Sequence, residues 1–162
     1  MANAEHLEIL KSGVDNWNKW QEEKKEAKAD LCDADLSGVD LSGANLPVAD
    51  LSGANLSGAN LSKAKLIYAK LSDANLIEAD LSKANLFKAN LCNANLNHAN
   101  LPNANLSKAN LFDAKLTHAN LFGTNLFGVN LSNAILSGAR LSHVNLSDAN
   151  LIGANLSQCR SV

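Results

Sequence analysis

The stretch Ala49-Asp50-Leu51-Ser52-Gly53-Ala54-Asn55-Leu56-Ser57-Gly58-Ala59-Asn60-Leu61 decides the fold. Its pattern repeats every five residues. Read outward in both directions, leucine keeps this register from Leu31 to Leu156, 26 times without a miss. Two residues before each stands a small side chain, alanine at 22 of 27 sites and otherwise Val39, Thr124, Val129, Val144 or Cys159. With the small residue as position a and leucine as c, position b is mostly Asn or Asp, d is most often Ser, and e is Gly or polar.

A period of five fits neither a helix of 3.6 nor a long strand of period two. Within a-b-c, however, small apolar, polar and large apolar alternate, which makes a minimal strand with a and c inward and b outward. Positions d and e must then turn the chain. Both prolines, Pro47 and Pro102, fall at d, and every glycine of the tract falls at e. Those are the first and second central places of a type II turn, which favours Pro and then a residue of positive φ. A corner at each d-e pair follows. One such side cannot bury its leucine alone, so the chain must coil and stack at about 4.8 Å, with columns of leucine inside.

Composition agrees with a repeat. Aromatic residues make up only 4% of the chain, too few for an ordinary mixed core. The net charge of −2 announces neither a polyanion nor a polycation as partner. Within the tract, nine bases face ten acids, a balanced surface. Cys32, Cys92 and Cys159 form an odd set without framework spacing. The start MANAEHLEIL lacks the basic-then-apolar order of a secretory signal. No apolar run approaches the roughly 20 residues that span a bilayer. These features predict a reduced, cytoplasmic protein without membrane attachment.

The pattern, as in Ala54-Asn55-Leu56-Ser57-Gly58, resembles the A-(D/N)-L-x-x motif of the pentapeptide-repeat family, over residues 29 to about 160. The resemblance implies an all-β solenoid, a right-handed quadrilateral β-helix with four pentads per coil. Two domains are expected: residues 1–28 as a helical N-terminal cap and 29–162 as about 6.5 coils stacked to roughly 30 Å.

The two ends differ. Leu7, Leu10, Val14 and Trp17 keep a three-to-four spacing, flanked by Ile9 and Trp20, an amphipathic helical signal. Ser12-Gly13 should divide it into two helices, with Asp15 the expected N-cap of the second. Val14, Trp17 and Trp20 are then expected to cover the first coil, as solenoid ends require. The stretch from Ile9 to Trp20 also resembles leader segments of some cyanobacterial members of that family. At the other end, Leu156, Cys159 and Val162 would leave an apolar face in water, which predicts an end-to-end two-fold homodimer.

Two columns of residues 20 apart stand out. At d and e, Pro47, Val48, Ile67, Tyr68, Phe87 and Phe127 place apolar side chains where serine (at d) and glycine or polar residues (at e) are the norm, the expected interaction surface. At e, Glu78, His98 and His118 stack beside one another, the weaker candidate for zinc or nickel. Surface imidazoles without a second shell more often bind nothing. No activated nucleophile, phosphate-cradling loop or cleft-forming insertion is present, so neither enzyme activity nor a cofactor is expected.

The function read from these features is a non-enzymatic interaction or scaffold protein with a protein partner and no nucleic acid. The resemblance supplies one alternative, since some members of the family bind DNA gyrase by imitating duplex DNA and protect it from quinolones. That role needs dense negative charge, against one per about 1.7 Å of DNA, and this tract lacks it. Surface metal binding through the stacked histidines is the other alternative.

Overall fold

Each side finds its hydrogen-bonding partner 20 residues on. A computed structural model describes residues 2–24 and 27–160. In it, parallel bridges link residues i and i+20 from Asp30–Asp50 to Arg140–Arg160, always at b. Four sides therefore close one coil, and the stack is a quadrilateral β-helix. Each side contributes a single ladder residue, because the next corner follows immediately.

The backbone accounting explains the pentad letter by letter. In the side around Asp50, the Asp50 N–H donates back to Ala29 C=O at 2.8 Å, and Leu51 N–H donates forward to Lys70 C=O at 2.8 Å. At the corner, Gly53 N–H donates to Ser72 C=O at 2.9 Å, and Ala54 N–H closes the turn on Leu51 C=O at 3.1 Å. That leaves the d amide. Ser52 N–H donates to Asp50 Oδ1 at 3.2 Å, and Ser57 N–H to Asn55 Oδ1 at 3.3 Å. Asn or Asp at b thus serves the one amide the ladder omits, an Asx-turn contact. Pro47 and Pro102 fit at d because proline has no N–H to satisfy.

Every described e residue from Asp33 to Gln158 has positive φ, glycine or not. Val48 adopts φ 58°, a conformation that β-branched side chains rarely take. The corner geometry is imposed by the ladder and overrides local preference there.

Inside, the c leucines from Leu31 to Leu136 are fully buried and stack in columns, with the a alanines between them. Each contributes roughly 1.5–3 kcal/mol of burial before chain entropy is subtracted. Thr124, at an a position, is also buried, and its hydroxyl donates to Leu101 C=O at 2.7 Å. On the outside, b amides form ladders, for example Asn75 Nδ2 to Asn55 Oδ1 at 3.2 Å and Asn120 Nδ2 to Asn100 Oδ1 at 2.9 Å.

Two helices, α1 (Ala4–Lys11) and α2 (Val14–Glu23), precede the first coil. The expected N-cap of α2 is corrected: Gly13 occupies that place with φ 121°, and Asp15 lies in the first turn, where its charge meets the positive end of the helix dipole. Trp17 is fully buried, and its Nε1 donates to Asn45 C=O at 2.8 Å. Val14 and Trp20 are half-buried against the same core. Asn18 does what a neighbouring coil would do. Its Oδ1 accepts the Asn45 N–H at 2.7 Å, and its Nδ2 donates to Gly43 C=O at 3.2 Å. On another side, Asp30 N–H donates to His6 Nδ1 at 3.0 Å, and Asn3 N–H to Asp30 C=O at 3.0 Å. Exposed ladder groups of coil one are thereby paired.

Toward the C-terminus, burial falls away. Leu141, Leu146 and Leu151 are half-buried, and Leu156 is 38% exposed. Cys159 is half-buried and its Sγ donates to Leu136 C=O at 3.0 Å. Val162 lies outside the described residues. No helix among the described residues is long and apolar enough to cross a membrane.

Candidate functional site: an aromatic corner

The 20-residue register turns a sequence column into a physical corner. The corner that begins at Pro47-Val48 continues through Ile67-Tyr68, Phe87-Lys88 and Ser107-Lys108 to Phe127-Gly128. Val48 and Tyr68 are 39% and 49% exposed, placing them among the few large apolar side chains that face water. Pro47, Ile67, Phe87 and Phe127 are half-buried along the same edge.

The middle of the corner is organised. Tyr68 and Phe87 meet edge-on, with ring centroids 6.0 Å apart and planes at 78°. Lys88 lies with Nζ 5.3 Å from the Tyr68 centroid and 5.4 Å from the Phe87 centroid, and it donates to Tyr68 Oη at 3.3 Å. Such cation–π contacts hold an ammonium in place at an exposed site. Phe127 belongs to the column but stands two coils beyond Phe87, with Ser107 buried between them. The continuous part of the patch therefore runs from Pro47 to Lys88. On the adjoining side, Lys70 Nζ donates to Asp50 Oδ2 at 2.9 Å. Burial pushes the Asp50 carboxyl up, but bonds from Ser52 and Lys70 outweigh it and hold it below its usual range.

Sequence reasoning missed two contributors. Lys88 stands one coil from Tyr68, a spacing visible in the sequence. Phe122, 38% exposed, meets His143 edge-on at the neighbouring corner, with centroids 5.1 Å apart.

The histidine column is a pair. His98 and His118 lie 5.3 Å apart between centroids, tilted by 33°. Among the described residues, no group of three or more His, Cys, Asp and Glu side chains is placed to hold a metal ion, so Glu78 does not complete a set. Cys32, Cys92 and Cys159 are free thiols.

The sequence pattern that defines the "Pentapeptide repeats" family matches residues 27–53, 54–91, 89–126 and 124–160. The chain belongs to the pentapeptide repeat family. This pentapeptide repeat protein has the right-handed quadrilateral β-helix of that family, behind a short helix pair. It is similar to HetL of the cyanobacterium Nostoc sp. strain PCC 7120, a protein involved in heterocyst differentiation regulation. The identity is 33%, over 78% of this chain and 74% of HetL, with a TM-score of 0.52. It is also similar to Rfr23 from the cyanobacterium Cyanothece 51142, at 30% identity over 93% of this chain and 99% of Rfr23, with a TM-score of 0.32. The plasmid-mediated fluoroquinolone resistance protein QnrB1 shares 22% identity over 80% of this chain and 78% of its own, with a TM-score of 0.38. Among curated proteins, none matches the chain.

Proposed function

We propose that this pentapeptide repeat protein is a non-enzymatic interaction protein that holds a protein partner at the corner built by Ile67, Tyr68 and Phe87. One observation carries the reading: a partly exposed apolar and aromatic cluster, pinned by Lys88, on a solenoid whose other corners are mostly Ser, Gly, Asn and charged residues. Contiguous exposed apolar surface on a solvated protein marks contact sites, and rigid aromatic anchors supply much of the energy in protein interfaces. A pull-down from the native organism's lysate tests it, comparing wild type with Phe87→Asp/Phe127→Asp. Circular dichroism should be the same for both, because d side chains lie outside the leucine columns. A protein retained by wild type and lost by the variant is the expected outcome. Identical catches would refute the corner.

A second surface has its own support. Ile152 is 77% exposed and Leu156 38%, both in the last described coil. These residues favour a second copy meeting the chain by that coil, with Cys159 in the contact. Light scattering should then give a dimeric mass at micromolar concentration. A monomeric mass would sink this contact.

The gyrase-binding reading draws less from the molecule. The most acidic side carries five acids over about four coils, roughly one per 4 Å, far sparser than the charge along DNA.

A further inference from the structure

The four corners of one coil are occupied at e by Lys63, Tyr68, Asp73 and Glu78, and each begins a column of its own. Sorting charges by column reveals an order that the total conceals. Consider the side carrying Asn45 and Lys65, with the Lys63 and Tyr68 corners that flank it. It bears Lys63, Lys65, Lys83, Lys88 and Lys108, all exposed, against the single acid Asp148. The opposite side, with the Asp73 and Glu78 corners, bears Asp33, Asp35, Asp73, Glu78 and Asp113 against the single base Lys115. The two remaining sides mix both signs, as at Lys70 and Asp50. A protein of net charge −2 is thus polarised across its axis.

The five lysines lie between residues 63 and 108, about 11 Å along the stack at a rise of ~4.8 Å per coil. The aromatic corner stands within the same span. The result is an apolar centre (Ile67, Tyr68 and Phe87) with cations around it and one cation, Lys88, fixed over the rings. That arrangement matches the anatomy of a protein interface, an apolar core inside a charged rim.

We propose that this side receives an acidic protein segment that also carries apolar side chains. The proposal rests on the interaction reading above and adds the chemistry of the partner. Complementary charge steers encounter and sets orientation, while the apolar centre supplies affinity. Nucleic acid fits the side less well. The two rings present, Tyr68 and Phe87, meet edge-on with Lys88 over both instead of standing as open stacking platforms, and all five cations are lysine rather than the arginine whose fork matches phosphate. The acidic side of a second copy matches in sign, but such a contact is heterologous and builds rings or filaments rather than a two-fold pair.

The test is an NMR titration of the full chain with short synthetic peptides and with oligothymidylate. One peptide intersperses glutamate with leucine and phenylalanine, a second replaces glutamate by lysine, and a third replaces the apolar residues by serine. The expected result is that the first peptide alone shifts the amides of Lys65, Ile67, Tyr68 and Lys88. Its binding should weaken with added salt and fall about tenfold in Lys65→Glu/Lys88→Glu. Equal or stronger shifts with the lysine peptide or with oligothymidylate would overturn the proposal. So would self-association through these amides as the protein is concentrated. Binding lost in Phe87→Asp but unchanged in Lys65→Glu/Lys88→Glu would overturn the acidic assignment and leave the corner as an interaction site. No shift with any peptide likewise overturns the assignment, while the pull-down judges the corner itself.

Discussion

Replacing Leu91 by alanine probes the leucine columns where they are most constrained. Leu91 is fully buried, as are Leu71 and Leu111, one coil to either side. The substitution removes three carbons, about 2.4 kcal/mol at ~0.8 kcal/mol each. The void adds a further ~24 cal/mol per Å³ where neighbours cannot relax into it. Relaxation is limited here, since bridges from Lys70 to Asn90 and from Asn90 to Asn110 hold the adjacent coils in register. The expected cost is therefore about 3–5 kcal/mol, the upper part of the range for leucine. Leu151→Ala is the control, because Leu151 is half-buried in the last described coils, and it should cost about 1 kcal/mol. Urea unfolding followed by circular dichroism measures both. Equal costs at the two sites, or less than ~1 kcal/mol at Leu91, would refute a core held at fixed rise by its ladder.

Three other perturbations separate the remaining parts of the account. Asn18→Ala leaves the Asn45 N–H and Gly43 C=O without their side-chain partner, so it should cost about 1–3 kcal/mol and raise amide exchange at Asn45. Gly138→Ala should destabilise more than Gly58→Ala. Both residues have positive φ, but a Cβ at 138 would collide with the His118 imidazole, which must then move, whereas at 58 nothing lies within 4 Å; thermal melts of the pair report the difference. Hydrogen bonds from Ser37 to Asp35 and from Ser42 to Asp40 hold both carboxyls below their usual range. A lowered folded-state pKa stabilises above the unfolded value, about 3.9 for Asp, and that stability is lost as pH falls through the folded value. Acid titration should therefore leave melting flat near neutrality and lower it below about pH 4, with the decline reduced in Asp35→Asn/Asp40→Asn.

Much of the fold was legible because the pentad states its own geometry. Leucine at c, alanine at a, and Pro or Gly confined to d and e leave one arrangement of side and corner. The role of Asn and Asp at b was only half visible. That they point outward follows from alternation, but their bond to the d amide, as at Asp50 and Ser52, emerges once every other amide has found a partner. The start of α2 was misplaced because Asp15 looks like a cap, whereas Gly13 supplies the turn that lets Trp17 reach Asn45. The aromatic corner could be picked out from spacing, yet Lys88 gains its meaning only from its position over Tyr68 and Phe87. Charge was the least legible feature. Composition has no angular coordinate, so nine bases and ten acids in the tract read as balance although five of the bases and five of the acids gather on opposite sides.

The central claim, that one corner of this solenoid is a contact surface, is tested most directly by site-specific photo-crosslinking in the native organism. A crosslinking side chain is placed singly at 68, 73 and 78, three successive corners of one coil with matching positive-φ backbone. Discrete crosslinked protein species from position 68, absent from 73 and 78, are the predicted result. The same species from all three positions, or none from 68 while another corner reacts, would contradict it.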